Sequence, residues 1–573
     1  MVRGLLVAAA ALAAPSAMAT ELNWRVEGID GELAANVRAH LGAPREARTL
    51  REARILRSRA VDRARDGLKA LGYYEPTIKT NLEGDADSGW SVILTIDKGQ
   101  PVRLRDVLIE VRGAGSDDEM LGGIIDVLQL NEGQVLHHGT YDTAKNALRN
   151  RALSQGYFDY DFAVSRIEVN PQRRRADIRL VLDSGPRYRI DRIEKTETPF
   201  SDELINRLID VDTPVPYSAD LIARLNRRLI DSGYFKQARV NVVREEAADG
   251  TVPVRLNLTA REPNTLGFGF GFSTDEGPRL RANWKRHWLN ASGHRFDSEA
   301  KVSAVRQNAT AKYTIPLRDP LNDTLQLNSG VQAEDIEDSK SLRATAGVQR
   351  QQNFTSGWQR VQSLRLLHER FEQADDDENT TLLLPGLSFS RTRVRGQPDP
   401  HWGDSQSYGV EIGAEQLLSD INLARFTISN KWLRSINRTH RFTFRVDAGG
   451  LTSNSFEEVP SSLRFFAGGD NSIRGFGYRS LSPENEEGEL EGGKYLLTGS
   501  AEYSYPVVEN WRLAAFVDAG NAFNDPADAE VKVGAGPGVR WSSPVGPIRL
   551  DVGVGISEED TPFRLHFSLG PPF

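Results

Sequence analysis

The C-terminal half of the sequence alternates apolar and polar residues, and this alternation restricts the possible folds more than any other feature. In residues 266–272 every even position is Leu or Phe and every odd position is Gly. Residues 441–448, 548–556 and 563–570 show the same alternation. Successive side chains of a strand point to opposite faces. Because one face is apolar with aromatics and the other carries glycine and charge, the pattern predicts membrane-spanning strands of a barrel.

The length of this region sets the expected number of strands. It runs from Pro263 to Phe573. Sixteen strands would leave about 19 residues for each strand with its loop, which suits tilted strands of roughly 10 residues. Fewer strands would require unusually long loops. We therefore predict an all-β, 16-stranded antiparallel transmembrane barrel over residues 263–573.

The first residues predict export from the cytoplasm. Arg3 precedes the short apolar run Gly4–Ala14, and Ala17-Met18-Ala19 resembles a cleavage site. Such a run is too short to cross a bilayer, so residues 1–19 are predicted to be a cleaved signal peptide. The mature chain would then begin at Thr20.

The composition excludes several classes of function. The sequence contains no cysteine, which excludes disulfides, thiolate catalysis and cysteine-based metal sites. The net charge of -8 gives no reason to expect a nucleic acid as partner. We find no nucleophile-elbow motif, and the nine histidines follow no metal-ligand or catalytic-triad pattern. We therefore expect neither an enzyme nor a cofactor.

A three-residue step, glycine followed by two aromatics, occurs three times in the N-terminal half. It is found at Gly72-Tyr73-Tyr74, Gly156-Tyr157-Phe158 and Gly233-Tyr234-Phe235. Each step follows a helical pattern and precedes two strand patterns, which gives a β-α-α-β-β unit three times. Glycine suits the left-handed position just after a helix. The predicted modules cover residues 20–99, 100–185 and 186–262.

These modules resemble the POTRA domain, in which two helices cover one face of a three-stranded sheet. The resemblance rests on the glycine-aromatic step at the helix exit. It implies periplasmic modules that bind extended polypeptide by adding a strand to an open sheet edge. The alternative is three generic α+β domains that act as a spacer.

A long stretch without alternation, residues 451–493, lies between two predicted barrel strands. It contains Phe466-x-Gly468-Gly469 followed by Ser472-Ile473-Arg474-Gly475-Phe476. These residues resemble the loop-six motif of the outer-membrane insertase superfamily, which includes BamA, TamA and the two-partner-secretion transporters. The resemblance implies that the loop enters the barrel. The candidate motif residues are Gly468, Gly469, Ile473, Arg474, Gly475 and Phe476.

In that family the motif arginine pairs with acidic side chains on the next two strands. Glu502 and Asp518 are the matching positions, and alternation places both on the lumen face of their strands. A guanidinium inside a barrel needs partners for its planar set of donors, and two carboxylates supply them. The alternative treats Arg474 as an ordinary loop arginine.

The first and last strands are predicted to close weakly. Alternate glycines leave few side chains to hold the first strand, and Pro571 and Pro572 cannot donate to a ladder. We therefore expect a lateral gate between the two strands, with positions 268 and 567 close enough for a crosslink to shut it. The candidate gate residues are Gly267, Phe268, Gly269, Phe270, Gly271, Phe567 and Leu569.

Three modules on a mature chain of this length resemble the TamA subfamily. The resemblance implies an outer-membrane assembly factor for client proteins such as autotransporters, surrounded by outer-membrane lipids and working with a TamB-like partner anchored in the inner membrane. A role in lipid transport beside that partner stays open. The main alternative is a two-partner-secretion-type exporter that passes one polypeptide through the lumen.

Two charged segments remain. The acidic run 375–378 is predicted to be a surface loop, with a calcium site as the less favoured alternative. Residues 45–65 contain eight arginines against three acidic residues. They are predicted to form a solvated helix, and the alternative is a face that docks a partner or lipid headgroups.

Overall fold

A computed structural model describes residues 20–85, 88–128, 130–396, 399–544 and 546–569. The predicted signal peptide and the two C-terminal prolines lie outside these residues. The chain divides into two compact units: Met1–Glu194 with Asp212–Ala223 and Val242–Arg255, and Lys195–Val211 with Arg224–Asn241 and Leu256–Phe573. Within the described residues, no helix is both long and apolar enough to cross a membrane.

The N-terminal elements follow the predicted repeat. The first module contains β1 (Thr20–Glu27), α1 (Gly31–Leu41), β2 (Arg45–Ala47), α2 (Leu50–Ala70), β3 (Thr77–Asp85) and β4 (Gly89–Asp97). The second contains β5 (Arg103–Arg112), α3 (Glu119–Gly122), α4 (His138–Gln155), β6 (Asp161–Asn170) and β7 (Arg175–Asp183). The third contains β8 (Arg189–Lys195), α5 (Asp202–Ile209), β9 (Val215–Pro216), α6 (Ala219–Asp231), β10 (Phe235–Val242) and β11 (Thr251–Ala260).

Each module has a small mixed sheet. The strand orders are β2-β1-β4-β3, β5-β7-β6 and β10-β11-β8-β9. In the first module the buried residues of α2 include Ala53, Ala60, Ala64 and Leu68, at helical spacing. They pack against β4, whose alternate residues are buried in the same core. The repeated α+β architecture of the prediction is therefore confirmed. The expected three strands per sheet hold for the second module, whereas β2 and β9 add a short fourth strand in the first and third.

The glycine-aromatic steps lie at joints between consecutive elements. Each glycine has a positive φ: +86° at Gly72, +92° at Gly156 and +74° at Gly233. After each step the following element donates a backbone N–H back to it: Val102 to Gly72 at 2.8 Å, Tyr188 to Gly156 at 2.9 Å and Arg261 to Tyr234 at 2.7 Å.

The aromatic residues of the first two steps lie before the strands that follow and are not part of them. The strands begin three residues later, at Thr77 and Asp161. The reason is that the aromatics pack into the joints. The Phe158 ring, for example, lies 5.2 Å from the Tyr188 ring and 4.9 Å from the Tyr217 ring.

The third step packs on a turn of the barrel. The Tyr234 hydroxyl donates to the carbonyl of Gly293 at 2.7 Å, and the guanidinium of Arg295 lies 4.3 Å from the Tyr234 ring centre. Phe200 packs edge-on against Trp288 in the same turn, with the ring centres 5.6 Å apart. This turn of the barrel therefore contacts Phe200 and Tyr234 of the third module.

Sixteen strands form a closed antiparallel barrel, in which each strand pairs with the next along the chain. They are β12 (Asn264–Ser273), β13 (Gly277–Arg286), β14 (Arg295–Val302), β15 (Arg306–Pro316), β16 (Asp323–Ile336), β17 (Ser339–Asn353), β18 (Gln359–Gln373), β19 (Asp376–Arg395), β20 (Trp402–Gly413), β21 (Leu423–Ile436), β22 (His440–Ser453), β23 (Tyr495–Val508), β24 (Trp511–Phe523), β25 (Lys532–Ser543), β26 (Gly546–Gly555) and β27 (Phe563–Leu569). The predicted 16-stranded barrel is confirmed.

The two faces of the barrel wall differ as the alternation predicts. The outward Phe268 of β12 is 85% exposed, whereas the inward Asp518 of β24 is fully buried. The prediction of a surface loop at the acidic run 375–378 holds only in part. Asp375 lies in an exposed turn, but Asp376 already opens β19 and pairs with the buried Arg464.

Candidate functional site

The segment between β22 and β23, residues 454–494, folds into a buried loop, which we call the motif loop. Short bridges join Phe465 to Gly493 and Ala467 to Leu481. Ile473 is fully buried, and Phe476 is 6% exposed. The loop therefore has an apolar core of its own.

Two glycines permit the path of the motif loop. Gly468 has a φ of +95°, and a Cβ at this position would lie 2.3 Å from the carbonyl oxygen of Gly477. Gly475 has a φ of +100°, and a Cβ there would lie 2.8 Å from backbone atoms of Val554 and Gly555. A side chain at either position would add backbone strain and a clash. The glycines of the motif thus let the loop approach the barrel wall closely.

Arg474 meets three carboxylates in the lumen. Its Nε and Nη2 donate to the two oxygens of Asp518 at 2.7 and 2.9 Å. Its Nη1 donates to Glu502 at 3.0 Å and to Asp551 at 3.2 Å. The guanidinium also lies 3.4 Å from the centre of the Phe516 ring. The structure therefore brings the predicted arginine together with both predicted partners.

A second arginine completes this cluster. Arg540 of β25 contacts Glu502 and Asp551, each at 2.6 Å. Two guanidinium groups and three carboxylates thus lie together in a buried site. Such a cluster favours one geometry over others more than it adds stability. Sequence analysis missed Asp551 and Arg540, although the alternation already puts Asp551 on the polar face of its strand.

Further contacts hold the motif loop on other strands. Arg464 is buried and donates to Asp376 of β19 at 2.8 Å. The fully buried Glu369 of β18 accepts from Ser461 at 3.0 Å. Arg479 pairs with Glu334 of β16. These partners lie 88 to 145 residues apart in the sequence, and no local pattern marked them.

The motif loop also contacts the last strand. The backbone N–H of Gly475 donates to Nε2 of His566 at 2.8 Å. Nε2 therefore carries the lone pair, so the proton lies on Nδ1, which contacts Asp470 at 2.7 Å. Asp275, Asp470 and His566 lie close enough together to hold a metal ion. However, a protonated Nδ1 cannot bind a metal. The contacts therefore favour a hydrogen bond that Nδ1 donates to the Asp470 carboxylate.

Asp470 joins the same contacts to the turn after the first strand. Its carboxylate accepts from Thr274 at 2.7 Å, and its backbone N–H donates to the Asp275 carboxylate at 3.0 Å. Burial and the neighbouring Asp470 carboxylate raise the pKa of Asp275 above its usual range. One loop residue thus contacts residues from both sides of the first-to-last seam.

The described part of the seam has a short ladder. Within the described residues, Ser273 and Ser568 are the one pair in register between β12 and β27. By contrast, every residue of β12 has a partner on β13. Ser273 is the last residue of β12, so residues 264–272 have no described partner on the β27 side. Their outward side chains are Leu266, Phe268, Phe270 and Phe272, with 68%, 85%, 71% and 38% exposure.

This register corrects the expected position of one gate contact. Position 567 lies beside Thr274, whose N–H donates to the Phe567 carbonyl at 3.2 Å. Position 268 lies six residues before Thr274 in the chain and does not face position 567. The side chain nearest to Phe567 is Phe272, with ring centres 5.7 Å apart. The prediction failed because alternation assigns a face to each residue but does not fix the register.

Family comparisons agree with this architecture. The model of the Omp85 superfamily domain matches residues 251–573. The model described as POTRA domain TamA domain 1 matches residues 23–98. A surface antigen variable number repeat, the POTRA model, matches residues 108–185.

Relatives of the chain include BamA proteins. The outer membrane protein assembly factor BamA of Nitratidesulfovibrio vulgaris is 24% identical over 463 residues, which cover 74% of this chain and 57% of that protein. BamA of Neisseria meningitidis serogroup B is 22% identical over 595 residues, 90% of this chain and 72% of that protein. The chain therefore spans little more than half the length of the first relative.

A solved structure supports the fold. BamA from Haemophilus ducreyi lacking POTRA domains 1–3 superposes with a TM-score of 0.70 at 16% identity and covers 82% of this chain and 99% of that chain. At this identity the similarity concerns the fold alone. The superfamily model matches more than half of this chain, including the barrel and the motif loop. The chain therefore belongs to the Omp85 superfamily, as an outer-membrane β-barrel protein with periplasmic POTRA modules.

Proposed function

We propose that this protein is an assembly factor of the TamA kind that inserts client proteins into the outer membrane at the β12–β27 seam. The observation that carries the proposal is the single register pair between these strands, Ser273 with Ser568. The match of the first module to the TamA-type POTRA model supports the subfamily. The names of the BamA relatives support the class of activity.

The seam offers an edge to which a strand can add. Residues 264–272 of β12 are hydrogen-bonded to β13 on one side only, within the described chain. An unpaired strand edge is a template for another strand. A client strand can therefore pair with β12 without first breaking a long ladder.

The motif loop would hold the seam in one state. His566 of the last strand contacts Asp470 and the Gly475 backbone, next to Arg474. Movement of the last strand therefore disturbs the loop beside its central arginine. In this proposal the loop position and the opening of the seam change together.

The modules would receive partners and clients. β3 and β6 lie at the ends of their sheets, and alternate residues of β3 are exposed. An extended client segment can add to such an edge. The TamB-like partner follows from the proposed subfamily. Capture on the full chain should recover a large protein anchored in the inner membrane, whereas a secreted adhesin would favour the two-partner-secretion-type exporter.

A crosslink at the observed register tests the gate. Ser273→Cys with Ser568→Cys should form a disulfide, because directly opposed strand residues have a suitable Cα separation. We expect the oxidised protein to lose client assembly and the reduced protein to regain it. Ser329→Cys with Ala346→Cys is the matched control, because this pair joins the fully paired β16 and β17.

The assay compares client insertion into membranes before and after reduction. Full activity of the oxidised Ser273/Ser568 variant would refute insertion at this seam. Loss of activity in the Ser329/Ala346 control would show instead that any crosslink in the barrel is harmful. An exporter that uses the lumen would stay active with the seam locked.

A further inference from the structure

The outer face of the barrel carries four arginines and one tryptophan at one end of strands β19 to β21. We define the rim patch as Arg391, Arg393, Arg395, Trp402 and Arg434. The first three close β19, Trp402 opens β20, and Arg434 lies near the end of β21.

Register places the rim patch on the lipid face. Arg395 pairs with Trp402, and Trp402 pairs with Arg434, so these three side chains form one row across the wall. Along β19, the three arginines of the patch lie on the same face as Leu387 and Phe389, which are both exposed. The apolar outer face thus ends in a basic row.

The rim patch lies at the periplasmic end of the barrel. β20 begins at Trp402 and runs in the same direction as β12, because eight antiparallel steps separate them. β12 begins directly after the third module. The patch is therefore at the level where the inner leaflet of the outer membrane meets water.

The local chemistry is cationic and aromatic. Guanidinium groups surround the Trp402 ring, at 5.3 Å for Arg393, 4.8 Å for Arg395 and 4.8 Å for Arg434. Tryptophan is typical of the membrane interface, and arginine extends its charge to the same level. This composition suits a lipid headgroup.

The arginines have few carboxylate partners. Asp404 is 2% exposed and holds Arg393 through two hydrogen bonds, at 2.8 and 3.0 Å. A carboxylate oxygen of Asp404 lies 3.9 Å from Nη2 of Arg434. Among the described residues, the side chain of Arg395 has no hydrogen-bond or ion-pair partner. Four guanidinium groups against one carboxylate leave an excess of positive charge.

We propose that the rim patch binds the phosphate of an anionic phospholipid in the inner leaflet. The planar guanidinium suits a phosphate, and Trp402 can pack against the glycerol region. β19 and β20 are the eighth and ninth of the sixteen strands, so the patch lies opposite the β12–β27 seam. The bound lipid would fix the wall that faces the seam. This inference does not depend on the proposed assembly function.

Lipid binding by the intact protein tests the proposal. The full chain would be titrated in detergent with phosphatidylglycerol or with zwitterionic phosphatidylethanolamine, and native mass spectrometry would count the bound lipids. The test variant is Arg395→Gln with Arg434→Gln, which keeps the Arg393–Asp404 pair. We expect a preference for phosphatidylglycerol in wild type and a loss of about 10- to 30-fold in its affinity in the variant.

A control separates the site from general charge. Arg51→Gln with Arg54→Gln on α2 removes the same charge from an exposed helix outside the barrel. This control should bind phosphatidylglycerol like wild type. Arg395→Lys with Arg434→Lys should retain part of the affinity, because the charge remains.

Two results would overturn the proposal. One is equal affinity for phosphatidylglycerol in wild type and the Arg395/Arg434 glutamine variant. The other is an equal loss in the α2 control. A heat-dependent shift in electrophoretic mobility would show that each barrel is folded. If the glutamine variant is unfolded, the affinity of the lysine variant is compared with that of the α2 control instead.

Discussion

The wall between β18 and β19 and the seam between β12 and β27 belong to the same barrel but are built differently. Every residue from Gln359 to Gln373 has a partner on β19. Among the described residues of the seam, one pair, Ser273 with Ser568, is in register. Each backbone hydrogen bond adds about 1 kcal/mol of net stability. The long ladder therefore resists opening by itself, whereas the described part of the seam has few backbone bonds and is held in addition by side-chain contacts.

Those contacts come from the motif loop. Asp470 reaches Thr274 beside the first strand and His566 on the last, and the adjacent Arg474 is fixed by three carboxylates. Among the described residues of the seam, a polar cluster thus takes the place of a long ladder. A polar cluster can be rearranged by moving one loop.

Arg474→Ala should weaken the contacts between the motif loop and the barrel more than any other change proposed below. It leaves Glu502, Asp518 and Asp551 without their central cation, and loss of one partner from a buried pair costs roughly 3–5 kcal/mol. We expect release of the motif loop, seen as new protease cleavage within residues 454–494, and a lower midpoint of denaturation by urea.

Arg281→Ala is the control for this change. Arg281 pairs with Glu299, but its side chain is 54% exposed, so its loss should cost about 1 kcal/mol or less. If Arg474→Ala is as resistant to protease as Arg281→Ala, the central cluster does not hold the loop.

Gly475→Ala should have an intermediate effect. The positive φ and the close backbone of Val554 and Gly555 both oppose a side chain, and we expect a loss of about 2 kcal/mol in the free energy of unfolding. Gly488→Ala is the matched control, because its φ of +87° is similar but a Cβ there meets open space. Equal losses in the two variants would show that contact with the wall contributes nothing.

Asp275→Asn should have the smallest effect, with a distinct pH dependence. The folded protein raises the pKa of Asp275, so it binds a proton that the unfolded chain releases. The contribution of this contact to stability is complete when the pH is below the pKa that Asp275 has in the unfolded chain. It is lost as the pH rises from that pKa through the raised pKa of the folded protein. Asparagine keeps an acceptor for the Asp470 N–H without the charge.

We expect Asp275→Asn to match wild type near pH 4, where the loss begins, and to exceed it by about 1 kcal/mol or more near pH 8. Urea denaturation of both proteins at the two pH values gives this difference. A constant difference across the range would contradict a role for the Asp275 charge.

The sequence was sufficient for the architecture and for the inner face of the barrel. Alternation identified the lumen side of Glu502 and Asp518, and the loop motif identified Arg474. The register of neighbouring strands could not be predicted from the sequence, because period-two alternation is unchanged when a strand shifts by two residues. That is why Phe268 was placed opposite Phe567. Partners such as Glu369 and Glu334 were missed because only the folded barrel brings them to the loop.

The joints between the modules have a consequence for how such chains change in evolution. At the first two joints the next module bonds to the glycine of the step, at Gly72 and Gly156, whereas at the barrel the bond moves to Tyr234. Each of these joints also needs side chains of the next module, as Phe158 packs on Tyr188 and Tyr217, and Tyr74 bonds to His138. A module can thus be duplicated or lost only together with the residues that complete its joint, while the module next to the barrel is bound through Tyr234 and Arg295.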